Sequence, residues 1–282
     1  MLESAVHLLD GENDMKLRLD IAVGFLVAVT TTASAQWLNH RDPKLPRAPD
    51  GRPNLSAPPP RLADKRIDFS GVWLPDPKAT PGGFPEGQTL GEPPVIRLLT
   101  EDGTPFPLLP AAETEYKARL DRGDQNPSSR CMPHTIVDAY LVPEPIKIVQ
   151  TTGLTILLQE EYLHFRQIFT DGRPFPADMQ PAWYGYSVGR WEGDEFVIET
   201  AGFNSEGWLD LSPLTHSESL RTIERFRRPN VGTLQVQVTI NDPSKFSRVW
   251  RTQTITFRLV PDADLVEYLC DNNTRLLPAA PQ

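Results

Sequence analysis

The chain has 282 residues, with 28 basic and 37 acidic side chains, 29 prolines and two cysteines, for a formal net charge of −9. At 39% hydrophobic and 23% charged residues it can bury one substantial core, and collagen-like, coiled-coil and disulfide-dense classes are excluded. The acidic balance argues against a protein that wraps nucleic acid by neutralising phosphates.

Residues 15–35 read as a secretory leader starting at Met15. Lys16 and Arg18 form a short basic region, Ile21 to Val29 an apolar stretch, and Ala33-Ser34-Ala35 a cleavage site. The apolar run is too short to span a bilayer as a permanent helix. Residues 1–14 would be an upstream extension. Cleavage after Ala35 removes two basic and five acidic groups, leaving 26 against 32, a net −6. Gln36 stands where a lipoprotein would carry Cys. The expected localisation is periplasmic or secreted, with no membrane span in the mature chain. In an oxidising compartment Cys131 and Cys270 can form a disulfide, the alternative being two buried thiols.

Residues 36–66 hold seven prolines and form an extended or turn-rich arm. The barrel domain is expected over 67–275, followed by a tail at 276–282. A second irregular stretch runs from Pro75 to Pro94, and AAETEYKARLDRG, ending at Gly123, predicts one short helix. Beyond Pro133 the pattern changes to period two. With Phe69–Leu74 first, strands are predicted over Ile146–Gln150, Leu154–Phe169, Tyr186–Trp191, Glu195–Ala201, Ser217–Arg227, Thr233–Ile240, Trp250–Leu259 and Leu265–Cys270. Turn residues separate them: Gly153, Asp171-Gly172, Gly193-Asp194, Pro229-Asn230 with Gly232, Asp242-Pro243 and Pro261-Asp262. A meander of this length closes on itself or splits into a sandwich, because open edges are a liability.

Gly71-Val72-Trp73, at the start of the first predicted strand, resembles the G-x-W opening of lipocalin-like barrels, where the Trp closes the barrel base. The expected fold is therefore all-β: a lipocalin-like, mostly antiparallel closed barrel of about 8–10 strands, with the arm and the one helix. A second resemblance rests on Arg166-Gln167-Ile168, Asp171-Gly172-Arg173-Pro174 and Ser187 to Asp194. Leu220 to Arg228, Asn241-Asp242-Pro243 and Glu267 to Cys270 extend it over most of 66–275. These segments are similar to an uncharacterised exported bacterial family, which implies export and fold unity and carries no activity. Family members often have His at the position of Phe175, so a role for that imidazole does not transfer to this chain.

Alternate residues of a strand share a face. From Leu154 the even face runs through Ile156 and Leu158 to Glu160, Tyr162, His164, Arg166 and Ile168, so it begins apolar and then presents four hydrogen-bonding groups. Facing a barrel interior, these suit proton transfer. Glu160 or His164 can remove a proton, Tyr162 can donate one, and Arg166 can hold an enolate or carboxylate. The alternative is a solvated outer face with the odd residues inside, since one register slip exchanges the two. Glu218, Leu220, Thr222, Glu224, Phe226 and Arg228 form a second row, while Leu234, Val236, Val238 and Ile240 make a plain apolar face. His216, in the loop before a strand, joins the catalytic candidates. Asp171, Arg173, Trp183, Tyr186, Trp208 and Glu224 are the expected substrate-binding groups, beside further aromatics at Tyr184 and Trp191. Arg221, Arg225, Arg227 and Arg228 suggest a solvated face or an anionic ligand, the solvated face being preferred.

Gly185-Tyr186-Ser187-Val188-Gly189 fits G-x-S-x-G, and Asp210 and His216 follow in hydrolase order. The sequel reads as a hairpin where that elbow needs a helix. No zinc, nucleotide or calcium motif is present, so no metal or cofactor is expected. The favoured function is a cofactor-independent lyase, isomerase or hydratase acting on a small apolar or aromatic molecule in the barrel. A non-catalytic ligand carrier is the alternative, and a serine esterase at Ser187 the second.

Overall fold

The period-two patterns become the wall of a closed barrel. The computed structural model describes residues 41–82 and 96–270; the expected leader, the start of the arm and the tail lie outside the described residues. The strands are β1 (Gly71–Pro75), β2 (Ile146–Thr151), β3 (Leu154–Gln159), β4 (Phe165–Phe169), β5 (Tyr186–Glu192), β6 (Glu195–Ala201), β7 (Arg221–Asn230), β8 (Thr233–Asn241), β9 (Trp250–Arg251) and β10 (Ile255–Leu259). One helix, α1 (Pro110–Arg122), occurs among the described residues. It opens on proline and closes on Gly123 in the left-handed conformation, as its sequence predicts.

Strands β1 to β8 pair in chain order, and β10 pairs with both β8 and β1, closing a ring of nine. The two-residue β9 extends the same side of β8. Every pairing is antiparallel except β4–β5, where Ile168 and Phe169 lie beside Ser187 and Val188 in parallel. Residues 170–185 therefore cross the length of the barrel between them. One end, the base, has the short turns at Gly153, Gly193 and Gly232. The other end, the rim, carries the described parts of the long connections, 76–82 and 96–145, 202–220 and 242–254, together with the turn at 160–164.

The inward face is apolar through most of its length. Leu234, Val236, Val238 and Ile240 are each 0% exposed, and Phe196, Phe226, Phe257 and Trp73 fill the middle. The second predicted row is interior from Leu220 to Arg228, while Glu218 stays outside. Trp73 is fully buried on β1. Its indole donates to Phe69 O at 2.9 Å, and the Arg228 guanidinium lies 4.8 Å above its ring. Arg225 and Arg227 instead pair on the outer wall with Glu192 and Glu195. Gly189 gives the aromatic centre its room, since a Cβ there would stand 2.7 Å from Phe196 Cε2. The described part of the arm is pinned across the base. Leu55 O and Ala57 O accept from Gly232 and Val231 at 2.8 and 2.9 Å, and Arg61 pairs with Asp194 at 2.8 Å.

Three strand expectations need correction. Leu154–Phe169 is not one strand but the β3–β4 hairpin, turned at Tyr162 and Leu163, both with φ of +56°. Trp250–Leu259 is interrupted between β9 and β10. Leu265–Cys270 is extended but forms only a bridge, Glu161 to Tyr268. Cys131 and Cys270 lie at disulfide distance, with Cα atoms 5.6 Å apart. No helix among the described residues is long and apolar enough to cross a membrane.

Two stability measurements check this packing. Gly189→Ala is expected to cost about 1–3 kcal/mol by overpacking, seen as a lower urea midpoint at constant m. Reducing the Cys131–Cys270 pair, 139 residues apart, is expected to remove up to ~5 kcal/mol, and an unchanged midpoint would contradict the linkage.

Candidate acid–base site at the barrel rim

The rim is closed from within. Residues 135–142, mostly apolar and lying between Pro133 and Pro143, are all buried and form a plug across the barrel mouth. The loop 203–217 packs on this plug so closely that a Cβ on Gly207 would fall 2.1 Å from Thr135 Cγ2.

Beneath the plug lies a polar layer. Arg166, on β4, donates Nη2 to Glu224 Oε1 at 2.6 Å and Nη1 to Oε2 at 2.9 Å. Its Nε meets Ser187 Oγ at 3.0 Å and its Nη2 meets Thr200 Oγ1 at 2.7 Å. The plug residue Tyr140 reaches down and donates its hydroxyl to Glu224 Oε2 at 2.7 Å. Arg166 is 5% exposed and Glu224 0%, so water does not screen the pair. Burial alone opposes the Arg166 charge, but Glu224 outweighs it and raises the guanidinium above its ordinary value. Burial, and then the charge of Glu224, hold the Tyr140 phenol well above 10. Each guanidinium nitrogen of Arg166 and both Glu224 oxygens find partners inside the protein, which makes this layer a structural lock.

A second layer forms where the plug meets the β3–β4 turn. His134 Nδ1 lies 2.6 Å from Asp138 Oδ2, and its Nε2 lies 2.9 Å from Glu161 Oε2. Burial alone would depress this imidazole, yet the hydrogen bonds and charges of Asp138 and Glu161 push it up to about 10, so both ring N–H groups donate. Asn126 Nδ2 also donates to Asp138 Oδ2, at 2.9 Å. Asp210, in the loop over the plug, accepts from the Ser212 amide at 3.0 Å and its hydroxyl at 2.6 Å. Burial raises the Asp210 carboxyl to about 7, with Ser212 opposing and Asp138 adding to the rise.

His164 stands beside this ion pair in the opposite state. Burial lowers its imidazole below 6.5, Glu161 resists that shift and His134 reinforces it. Its Nε2 is shielded from solvent and has no hydrogen-bond partner among the described residues. Tyr162 and Tyr184 flank it edge-on, with ring centroids 6.1 and 6.3 Å away. Burial, and then the Glu161 carboxylate, raise the Tyr162 phenol to about 12. Left-handed backbone at two bulky residues is strained, and such strain concentrates where a side chain must be aimed.

Of the even-face quartet, Glu160, Tyr162 and His164 cluster at the turn, whereas Arg166 belongs to the layer below. Glu160 Oε2 accepts from the Val266 amide at 2.8 Å. His216 lies elsewhere. It is 2% exposed, its Nδ1 contacts Ser217 O at 3.2 Å, and its Nε2 has no partner among the described residues. Ser187 sits within β5, bonded to Arg166 and Thr200 and not to His216, so the Ser187–Asp210–His216 triad is not assembled. The expected substrate-binding residues also separate. Asp171 pairs with Arg173, whose guanidinium lies 4.1 Å over Phe169, itself stacked 5.0 Å from Tyr186. Trp183 is half-buried, Trp208 is buried in the loop over the plug, and Glu224 belongs to the lower layer.

His134, Asp138 and Glu161 were not among the sequence candidates. The apolar Ile136, Val137, Ala139, Leu141 and Val142 between two prolines are the available sign that this segment is buried. No group of three or more His, Cys, Asp and Glu side chains among the described residues is placed to hold a metal ion. Comparison with known proteins returns no matching family model, and no curated protein or solved structure matches at a significant level.

Two measurements follow from this geometry. Glu224→Gln strands the Arg166 charge and is expected to cost about 3–5 kcal/mol, whereas Arg166→Met with Glu224→Leu is expected to recover most of that loss. A folded His134 keeps its proton to about pH 10 against 6.5 ordinarily, so its contribution is complete below pH 6.5 and is lost as pH rises towards 10. Urea midpoints of His134→Gln are expected to lack the decline that the parent shows across that window.

Proposed function

We propose that this protein is an exported acid–base enzyme, of lyase, isomerase or hydratase type, working on a small organic molecule at the barrel rim. The observation that carries the reading is His164: a neutral imidazole with a shielded, unpartnered Nε2, set beside a Tyr162 phenol that keeps its proton at neutral pH. One group is ready to accept a proton and the other to donate one. The charged His134, clamped between Asp138 and Glu161, ties the turn to the plug and thereby positions both. Glu160 is a positioning residue through its bond to Val266, and Arg166 acts one layer down by fixing Tyr140 and the plug. The disulfide-distance cysteine pair supports an oxidising compartment and so supports export.

The carrier reading needs free space within the wall, and there Trp73, Phe196, Phe226 and Tyr140 fill the barrel. A cleft of about 560 Å³, lined by Leu74, Lys78, Leu141 and Arg258 among others, opens at the rim, with neither His164 nor Tyr162 in its lining.

A proton-transfer enzyme leaves solvent hydrogen in what it turns over. The purified protein, incubated in D2O with small-molecule pools, is expected to introduce deuterium into one compound, detected by mass spectrometry. His164→Gln should slow this by about 10²–10⁴-fold and Tyr162→Phe by a smaller factor. Undiminished incorporation by His164→Gln would sink the assignment. Release of one unaltered compound on denaturation, without incorporation, would favour the carrier.

A further inference from the structure

The rim next to His164 carries a combination that proton transfer alone does not require. Tyr162 and Tyr268 stand 5.6 Å apart, tilted by 48°, and with His164 and Tyr184 they form a continuous run of rings. Tyr268 is 40% exposed, and Leu163 and Phe165 beside the turn are 47% and 59% exposed, so the run opens to solvent. The backbone brings three glutamates to this place: Glu161 bridges Tyr268, and the Glu160 amide donates to Pro145 O, next to Glu144. Burial, and then repulsion from Glu161 and Glu160, raise the Glu144 carboxyl, and the Glu144 and Glu161 charges both bear on the Tyr162 and Tyr268 phenols. Among the described residues no lysine or arginine pairs with any of the three glutamates, and the imidazolium of His134 answers only Glu161 and Asp138.

We infer that the rim site takes an organic ammonium: a small molecule with an alkylated amine seated against Tyr162 and Tyr268, on the side of Glu144. Ring faces carry negative charge density, and carboxylates short of cations add to it. A weakly hydrated alkylammonium gives up little water on meeting ring faces, which distinguishes it from a strongly hydrated metal ion. The inference rests on the acid–base reading of the same rim and narrows its substrate class.

Choline and its neutral isostere 3,3-dimethylbutan-1-ol separate charge from shape, with benzoate as the anionic control. Titration of the full chain by calorimetry is expected to show choline binding about tenfold or more tighter than the alcohol, weakening as salt is raised. Tyr268→Ala, at an exposed position, is expected to weaken choline by about two- to fivefold, and Glu144→Gln by a similar factor. Equal affinity for choline and the alcohol, tighter binding of benzoate, or no choline binding overturns the inference, and none of these outcomes depends on a variant that folds. The two readings fail separately. A His164→Gln protein that still incorporates deuterium ends the acid–base assignment without touching the choline preference. A charge-blind site ends the ammonium inference even where His164 proves necessary.

Discussion

The Arg166–Glu224 pair constrains the rest of the rim. Two opposite charges inside an apolar barrel cannot be left partly satisfied, because each orphaned group would cost several kcal/mol. Ser187 and Thr200 take up remaining guanidinium donors, and the Tyr140 hydroxyl meets a Glu224 oxygen. That last bond sets the depth at which the plug sits in the mouth. Such a pair adds little net stability compared with an apolar substitute, but it fixes register, since sliding Tyr140 would break the bond to Glu224 and uncover the layer beneath.

With the plug fixed, His134 has a defined place, and its contacts with Asp138 and Glu161 join the plug to the β3–β4 turn. Three histidines then differ only in their surroundings. His134 lies between carboxylates and stays charged, while burial without comparable partners lowers His164 and His216. His216 is enclosed by its loop, and its ring lies 5.7 Å from Phe203. His164 sits beside the open aromatic run. Exposure of the neighbouring rings, more than basicity, separates the surroundings of His164 from those of His216.

The barrel was legible where sequence pattern and turn chemistry agreed. Residues 220–240 alternate cleanly around Gly232, and the inward set is the one that alternation predicts. The 154–169 stretch concealed its turn, because Glu161-Tyr162-Leu163-His164 contains no glycine, proline or asparagine to mark a reversal. The reversal exchanges parity, so Thr155 and Leu157 face inward before the turn and Arg166 and Ile168 after it. Neither single-face reading of the sequence anticipates that mixture. The ion pair of His134 was illegible for another reason: Asp138 lies within a short 3₁₀ turn, and Glu161 arrives from a distant hairpin.

The strain at Tyr162 and Leu163 follows from the same arrangement. A glycine or asparagine at either position would relax the turn, at the loss of a ring beside His164 or of an apolar side chain at the exposed rim. The turn is held from both sides: His134 grips Glu161, and the Val266 amide grips Glu160 next to the Glu161–Tyr268 bridge. The segment that supplies this second grip ends at Cys270, whose partner Cys131 precedes the plug by only a few residues. Plug, turn and C-terminal segment therefore close a circuit around the aromatic run. Its members are linked by one disulfide, one buried imidazolium and one buried ion pair, so the geometry at His164 is fixed by contacts that lie mostly outside the site itself.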